Sequence, residues 1–187
     1  MAIVSGSRTS QRHVRLHELE RIRRISMSTS DVMKGKKILA VDDEPDILDV
    51  IRELLPECHV VTAGNFDAAL SCLQKEKFDL VILDIMGVCG FDLLGECRRK
   101  NVPAAMLTAH AISIDSLNRS VRLGAVSFIP KDELVRLPFY VEEIFECVDR
   151  PLGHWPSLFS RIGPYFVERL GIVWDDLTKP PKKRNNQ

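Results

Sequence analysis

Five polar side chains stand at the ends of short apolar runs, and together they are equipped for one kind of chemistry. Asp42 and Asp43 follow Ile38–Val41, Asp84 follows Leu80–Leu83, Thr108 follows Ala104–Leu107, and Lys131 follows Ala125–Ile129 and Pro130. Crowded carboxylates repel and raise each other's pKa unless a cation lies between them. Asp42, Asp43 and Asp84 form a hard-oxygen set suited to Mg2+, which keeps several waters and takes a few carboxylates plus phosphate oxygens. A carboxylate beside such a cation can attack phosphorus and become an aspartyl phosphate. In that reading Asp84 is the nucleophile. Lys131 supplies a fixed positive charge to the phosphoryl oxygens, and Thr108 donates a hydroxyl hydrogen bond to another of them. Taken singly, each group has an ordinary explanation as a solvated strand end, a helix cap or a surface charge. Those explanations do not account for their arrival after four separate apolar runs.

The elements that must deliver these groups are legible in the hydrophobic rhythm. The four runs above and His59–Thr62 are each too short for a helix and read as buried strands. Amphipathic stretches lie between them. Ile47, Leu48, Ile51, Leu54 and Leu55 share a helical face that Pro45 can open. Phe66, Ala69, Leu70 and Leu73 follow Asn65 as a cap. Leu93, Leu94 and Cys97 mark a third helix; Ile114, Leu117 and Val121 a fourth, with Ser113 near its start; Val141, Ile144, Phe145 and Val148 a fifth, with Pro138 near its first turn. Strands alternating with helices imply right-handed crossovers and a parallel sheet covered on both faces. The fold class is therefore α/β, a doubly wound five-stranded parallel sheet with a short C-terminal helical extension. Such folds bind ligands at the carboxyl ends of their strands.

Composition narrows the function. Lys+Arg and Asp+Glu are 26 each among 187 residues, so net charge exerts no pull toward nucleic acid or acidic membranes. No apolar run approaches the ~20 residues needed to span a bilayer, and the basic N-terminus lacks the apolar stretch of a secretory signal. A cytoplasmic location is expected, with no membrane partner. The cysteines Cys58, Cys72, Cys89, Cys97 and Cys147 have no CxxC spacing, which argues against a zinc site or a disulfide framework. Cys58, Cys72 and Cys147 read as reduced core thiols, and Cys89 as a loop thiol. The glycine motifs of dinucleotide-binding and P-loop enzymes are absent. A phosphatase with an aspartate nucleophile needs a second acid two residues on, where Met86 stands.

The chain from about residue 36 to 149 resembles response-regulator receiver domains. The resemblance rests on Lys37-Ile-Leu-Ala-Val-Asp-Asp-Glu-Pro45, Phe78-Asp-Leu-Val-Ile-Leu-Asp-Ile-Met86, Met106-Leu-Thr-Ala109 and Gly124-Ala-Val-Ser-Phe-Ile-Pro-Lys131, in that order. It implies a flavodoxin-like strand order 2-1-3-4-5 and phosphotransfer to Asp84 from a sensor histidine kinase or phosphotransfer protein. It also implies Mg2+ held directly by Asp43, by Asp42 mainly through water, by Asp84 and by the backbone carbonyl of Met86. Thr108 and Phe128 match the family's switch pair, a hydroxyl that moves toward the phosphate and a ring that swings inward. Two features depart from the pattern. Val88 stands where the family usually has proline, and Gly90 comes six residues after Asp84 rather than eight, so the loop after the acceptor is two residues shorter. Asp132 follows Lys131 where the family mostly has proline.

The resemblance thus describes a regulator rather than an enzyme, one that catalyses only its own phosphorylation and dephosphorylation. It would signal through an unidentified downstream protein. The alternative is a receiver-like module that binds partners without phosphorylation. Four segments are expected: a basic disordered tail over 1–33, with Met27 and Met33 as alternative starts; a receiver body over 34–149; an aromatic helical extension over 150–178; and a disordered tail over 179–187. The extension is too short for a usual DNA-binding domain, so no direct DNA binding is expected. Trp155, Phe159 and Phe166 read as packing on the body or on a second copy in a homodimer. His110 reads as a surface residue able to influence water near the phosphate.

Overall fold

The computed structural model describes residues 31–108 and 113–148. Expectations for the N-terminal tail through residue 30, the extension, the C-terminal tail, His110 and the Cys147 side chain fall outside that range.

Five parallel strands form one sheet: β1 (Lys37–Val41), β2 (His59–Ala63), β3 (Leu80–Asp84), β4 (Ala104–Thr108) and β5 (Ser127–Pro130). Their order is β2-β1-β3-β4-β5, as the resemblance implied. The helices are α1 (Pro45–Leu54), α2 (Phe66–Lys75), α3 (Gly90–Arg99), α4 (Ile114–Leu123) and α5 (Leu137–Val148), with a 3-10 segment, Lys131–Arg136, between β5 and α5. Strands β1, β3, β4 and β5 are almost wholly buried, because helices cover both faces of the sheet. The edge strand β2 is only half-buried.

Local chemistry sets the helix ends. Pro45 opens α1, since its missing N–H would be unsatisfied there anyway. The Asn65 side chain accepts from Ala68 N–H at 2.9 Å, and Ser113 Oγ accepts from Ser116 N–H at 3.1 Å, so both are N-caps. Gly124 closes α4 in the left-handed region, φ 96°, which glycine adopts without the Cβ penalty. That turn delays β5 to Ser127, two residues after the start of its apolar run, while Val126 N–H already reaches Ala104 C=O at 2.8 Å.

The packed body begins before residue 34. Asp31–Met33 form a helical turn, Met33 is buried, and its carbonyl accepts from the Cys58 thiol at 3.3 Å. The boundary drawn at 33 is therefore corrected: an apolar side chain next to the sheet joins the core rather than a tail.

Cys58 and Cys72 pack against the core and are half-buried, while Cys97 is fully buried. All four described thiols are free. Burial pushes the Cys97 thiol up to about 12. Burial, then the charges of Glu57 and Asp79, push Cys58 up to about 11. The thiolate is the nucleophile, so native protein in mildly alkaline iodoacetamide should label exposed Cys89 while Cys97 reacts on the order of a hundredfold slower. Peptide mass mapping reads this, and equal labelling of the two would contradict the packing described.

Candidate functional site

Parallel strands end at one edge, and this sheet uses four of those ends. Val41 pairs with Leu83, so Asp42 leaves β1 beside Asp84 at the end of β3. Asp84 pairs with Leu107, and Thr108 with Pro130, which places Thr108 one step beyond Asp84 and Lys131 just past β5. Phe128 lies on β5 opposite Met106 and is buried.

Lys131 ties the acids together. Its ammonium lies 2.9 Å from Asp42 Oδ2, 3.2 Å from Asp84 Oδ1 and 2.8 Å from Glu44 Oε1. The Lys131 side chain is 16% exposed, and Asp42 and Asp84 are buried, so its contacts with these two are little screened, whereas Glu44 is exposed. Burial pulls the lysine's pKa down; hydrogen bonds to Glu44 and Asp42, with the charge of Asp84, more than reverse this and hold it above its ordinary value. The lysine is thus charged at neutral pH.

Asp84 presents its two oxygens differently. Oδ2 accepts from the backbone N–H of Met86 at 3.0 Å and of Gly87 at 2.7 Å. Oδ1 faces Lys131. The loop after Asp84 folds back tightly enough for two successive amides to reach one carboxylate oxygen, leaving the other toward the Lys131 ammonium. Gly87 also lies against the exposed Asp43 carboxylate, in space that a Cβ would occupy. Cys89 ends the loop with φ 53°, in the left-handed region unusual for a non-glycine residue.

Carboxylate oxygens of Asp42, Asp43 and Asp84 lie within 4.8 Å of one another, close enough to share one ion. Asp42 Oδ1 accepts from Glu44 N–H at 3.0 Å, and its buried Oδ2 faces the Lys131 ammonium at 2.9 Å with no other donor among the described residues. An acidic oxygen so placed, with two more carboxylates beside it, fits a hard divalent cation.

The structure brings Asp42, Asp43, Asp84 and Lys131 together, and strand register puts Thr108 at the same edge, with Phe128 buried two residues below Pro130 on β5. The Met86 side chain points out, 80% exposed, and its amide serves Asp84. Sequence reasoning missed Glu44 as a partner of Lys131. Its signal was present in the Asp-Asp-Glu run, but a contact spanning 87 residues has no local periodicity to announce it.

Burial raises the Asp42 pKa from the ordinary 3.8; the Lys131 and Glu44 hydrogen bonds pull it down less strongly, and Asp84's charge adds to the rise. A folded-state pKa above the unfolded one means that the folded chain holds a proton the unfolded chain releases. Stability from this group therefore falls as pH rises from the unfolded pKa through the folded one. Asp42→Asn removes that loss and leaves Lys131 with Glu44 and Asp84. Calorimetry in metal-free buffer should give a higher midpoint for the variant than for wild type at neutral pH, with the gap closing toward acid. An equal or lower midpoint at neutral pH would contradict it.

Comparison with known proteins points the same way. The family model for the response regulator receiver domain matches residues 38–138. The regulatory protein VanRc of Enterococcus gallinarum is 33% identical over 102 residues, covering 52% of this chain and 44% of that protein. The heme response regulator HssR of Staphylococcus aureus (strain JH9) is 36% identical over 112 residues, covering 57% of this chain and 46% of that protein. The chain thus spans about half the length of these curated relatives. A crystal structure of a response regulator from Thermotoga maritima superposes with TM-score 0.55 at 26% identity, covering 60% of this chain and 98% of that one. No helix among the described residues is long and apolar enough to cross a membrane.

Proposed function

The chain belongs to the response regulator receiver domain family of two-component systems, and from that premise we propose that Asp84 accepts a phosphoryl group from a sensor histidine kinase or phosphotransfer protein. The observation that carries the proposal is the Lys131 ammonium 3.2 Å from Asp84 Oδ1, beside two further aspartates. Asp84 Oδ1 is the attacking oxygen, since Oδ2 is occupied by the Met86 and Gly87 amides. In the transfer the P–N bond of phosphohistidine breaks, an O–P bond forms on Asp84, and the released imidazole nitrogen takes up a proton. Catalysis of such transfers is mostly positioning and charge stabilisation. Lys131 turns from its carboxylates to the phosphoryl oxygens, and the Thr108 hydroxyl donates to another. Asp42, Asp43, Asp84 and the Met86 carbonyl would hold Mg2+, which supplies charge neutralisation at the phosphoryl group.

The phosphorylated chain then shifts a two-state equilibrium involving Thr108 and Phe128 and changes what the α4–β5–α5 face binds. The output is protein–protein contact in the cytoplasm with an unidentified downstream protein, and the chain turns over no other substrate. Phe128 is already buried, which supports a role in the inward state.

Incubation with acetyl phosphate tests the reading by intact mass. A gain of one labile phosphoryl group that requires Mg2+ and is suppressed by EDTA is expected. A folded protein that gains nothing would move the assignment to a phosphorylation-independent binding module.

A further inference from the structure

Lys131 must aim a long, flexible side chain at Asp84 from the junction between β5 and the segment that leads to α5. Pro130 fixes the entry with φ −68° and pairs with Thr108. Beyond Lys131 the chain enters the 3-10 segment Lys131–Arg136, a poorer hydrogen-bonding geometry than an α-helix. Asp132 follows, a residue that does not restrict φ as proline would. Glu133 leaves helical geometry altogether, φ −107° and ψ 20°. Buried Leu134 anchors the middle of this turn in the core, and a polar contact at Glu133, nearer Lys131, adds to that anchor.

Tyr140 supplies it. Its hydroxyl donates to Glu133 Oε2 at 2.5 Å, and Arg136 reaches the same oxygen at 3.1 Å. The Arg136 side chain is 57% exposed, so its bond is screened and readily replaced by water. Tyr140 is buried on α5, and a hydrogen bond from a buried phenol to a carboxylate is charge-assisted. The phosphoryl chemistry itself gives this buried hydroxyl no task.

We propose that Tyr140 and Glu133 are positioning residues for Lys131: their hydrogen bond staples the 3-10 turn to α5 and thereby fixes the direction in which the ammonium points. The inference rests on the role given to Lys131 under Proposed function.

The test compares acetyl phosphate phosphorylation rates of Tyr140→Phe, Glu133→Ala and Glu133→Gln, with thermal midpoints taken alongside. Tyr140→Phe removes a hydroxyl and no ring volume. It should slow phosphorylation on the order of tenfold, as a small misalignment of a catalytic charge does. Glu133→Ala should match it, and Glu133→Gln, whose amide oxygen still accepts from the phenol, should recover most of the rate. In a Lys131→Ala background, Tyr140→Phe should have no further effect, because residues acting through one another are not additive. The 15Nζ signal of Lys131 should shift in Tyr140→Phe and not in Glu133→Gln. An unchanged rate in Tyr140→Phe, or the same slowing with and without Lys131, overturns the proposal. If wild type takes up no phosphoryl group, the functional reading has failed; the 15Nζ signal then decides alone, a shift upholding the staple and an unmoved signal refuting it.

Discussion

Asp84→Asn is expected to take up no phosphoryl group from acetyl phosphate under conditions that label the wild type fully. The substitution is isosteric. Its side-chain oxygen can still accept from the Met86 and Gly87 amides, which now bond Asp84 Oδ2 at 3.0 and 2.7 Å. What it loses is the negative, nucleophilic oxygen facing Lys131. A neutral amide does not attack phosphorus at a useful rate, so the loss is complete rather than graded. The fold should survive, because Lys131 keeps Asp42 and Glu44 as partners. An unchanged thermal midpoint or a small rise, together with no mass gain, is the expected pair of results. A labelled Asp84→Asn would place the acceptor elsewhere.

The second large effect concerns the loop after Asp84 and is read in stability. Gly90→Ala should destabilise the chain by on the order of 3 kcal/mol, the upper range for forcing extra volume into a packed site. A Cβ on Gly90 would overlap the Asp84 carbonyl oxygen and lie 3.0 Å from its carbon and 3.1 Å from Ile85 Cα. These are backbone atoms at and just past the end of β3 and cannot rotate away. Gly95→Ala, five residues on in the same helix, makes the control. Nothing lies within 4 Å of its Cβ, so it should stabilise by roughly 0.5–1 kcal/mol, the usual helix-interior preference for alanine. Urea titration of both variants reads the opposite signs. A neutral Gly90→Ala would mean that the loop does not pack on the strand as described.

Gly90 also shows where sequence reasoning stops. The glycine was visible, and so was its early position after Asp84, but the reason for it was not. The start of α3 lies directly on the backbone at the end of β3, an approach that no pattern in the sequence announces. Strands and helices were legible because their side chains repeat with the periods of the elements. The strand-end groups Asp42, Asp84, Thr108 and Lys131 were legible because each follows an apolar run directly. Pairings set by register across the sheet were not. Glu44 with Lys131 joins residues 87 apart, and the nearer pair Glu133 and Tyr140, seven apart, meets only because a 3-10 turn precedes α5. Cys58 and Cys72 pack against the core as their apolar neighbours imply, but how deeply they are buried depends on packing that the neighbours do not encode.

The most direct measurement traps the acceptor chemically. An acyl phosphate is reduced by borohydride to a primary alcohol with loss of phosphate, whereas an unmodified carboxylate is not. Wild type treated with acetyl phosphate and Mg2+, then borohydride, and mapped by peptide mass should show that conversion at Asp84 alone, and none when Mg2+ is withheld. Conversion at another carboxylate, or none in a folded and Mg2+-exposed chain, would contradict the assignment of Asp84 as the phosphoryl acceptor.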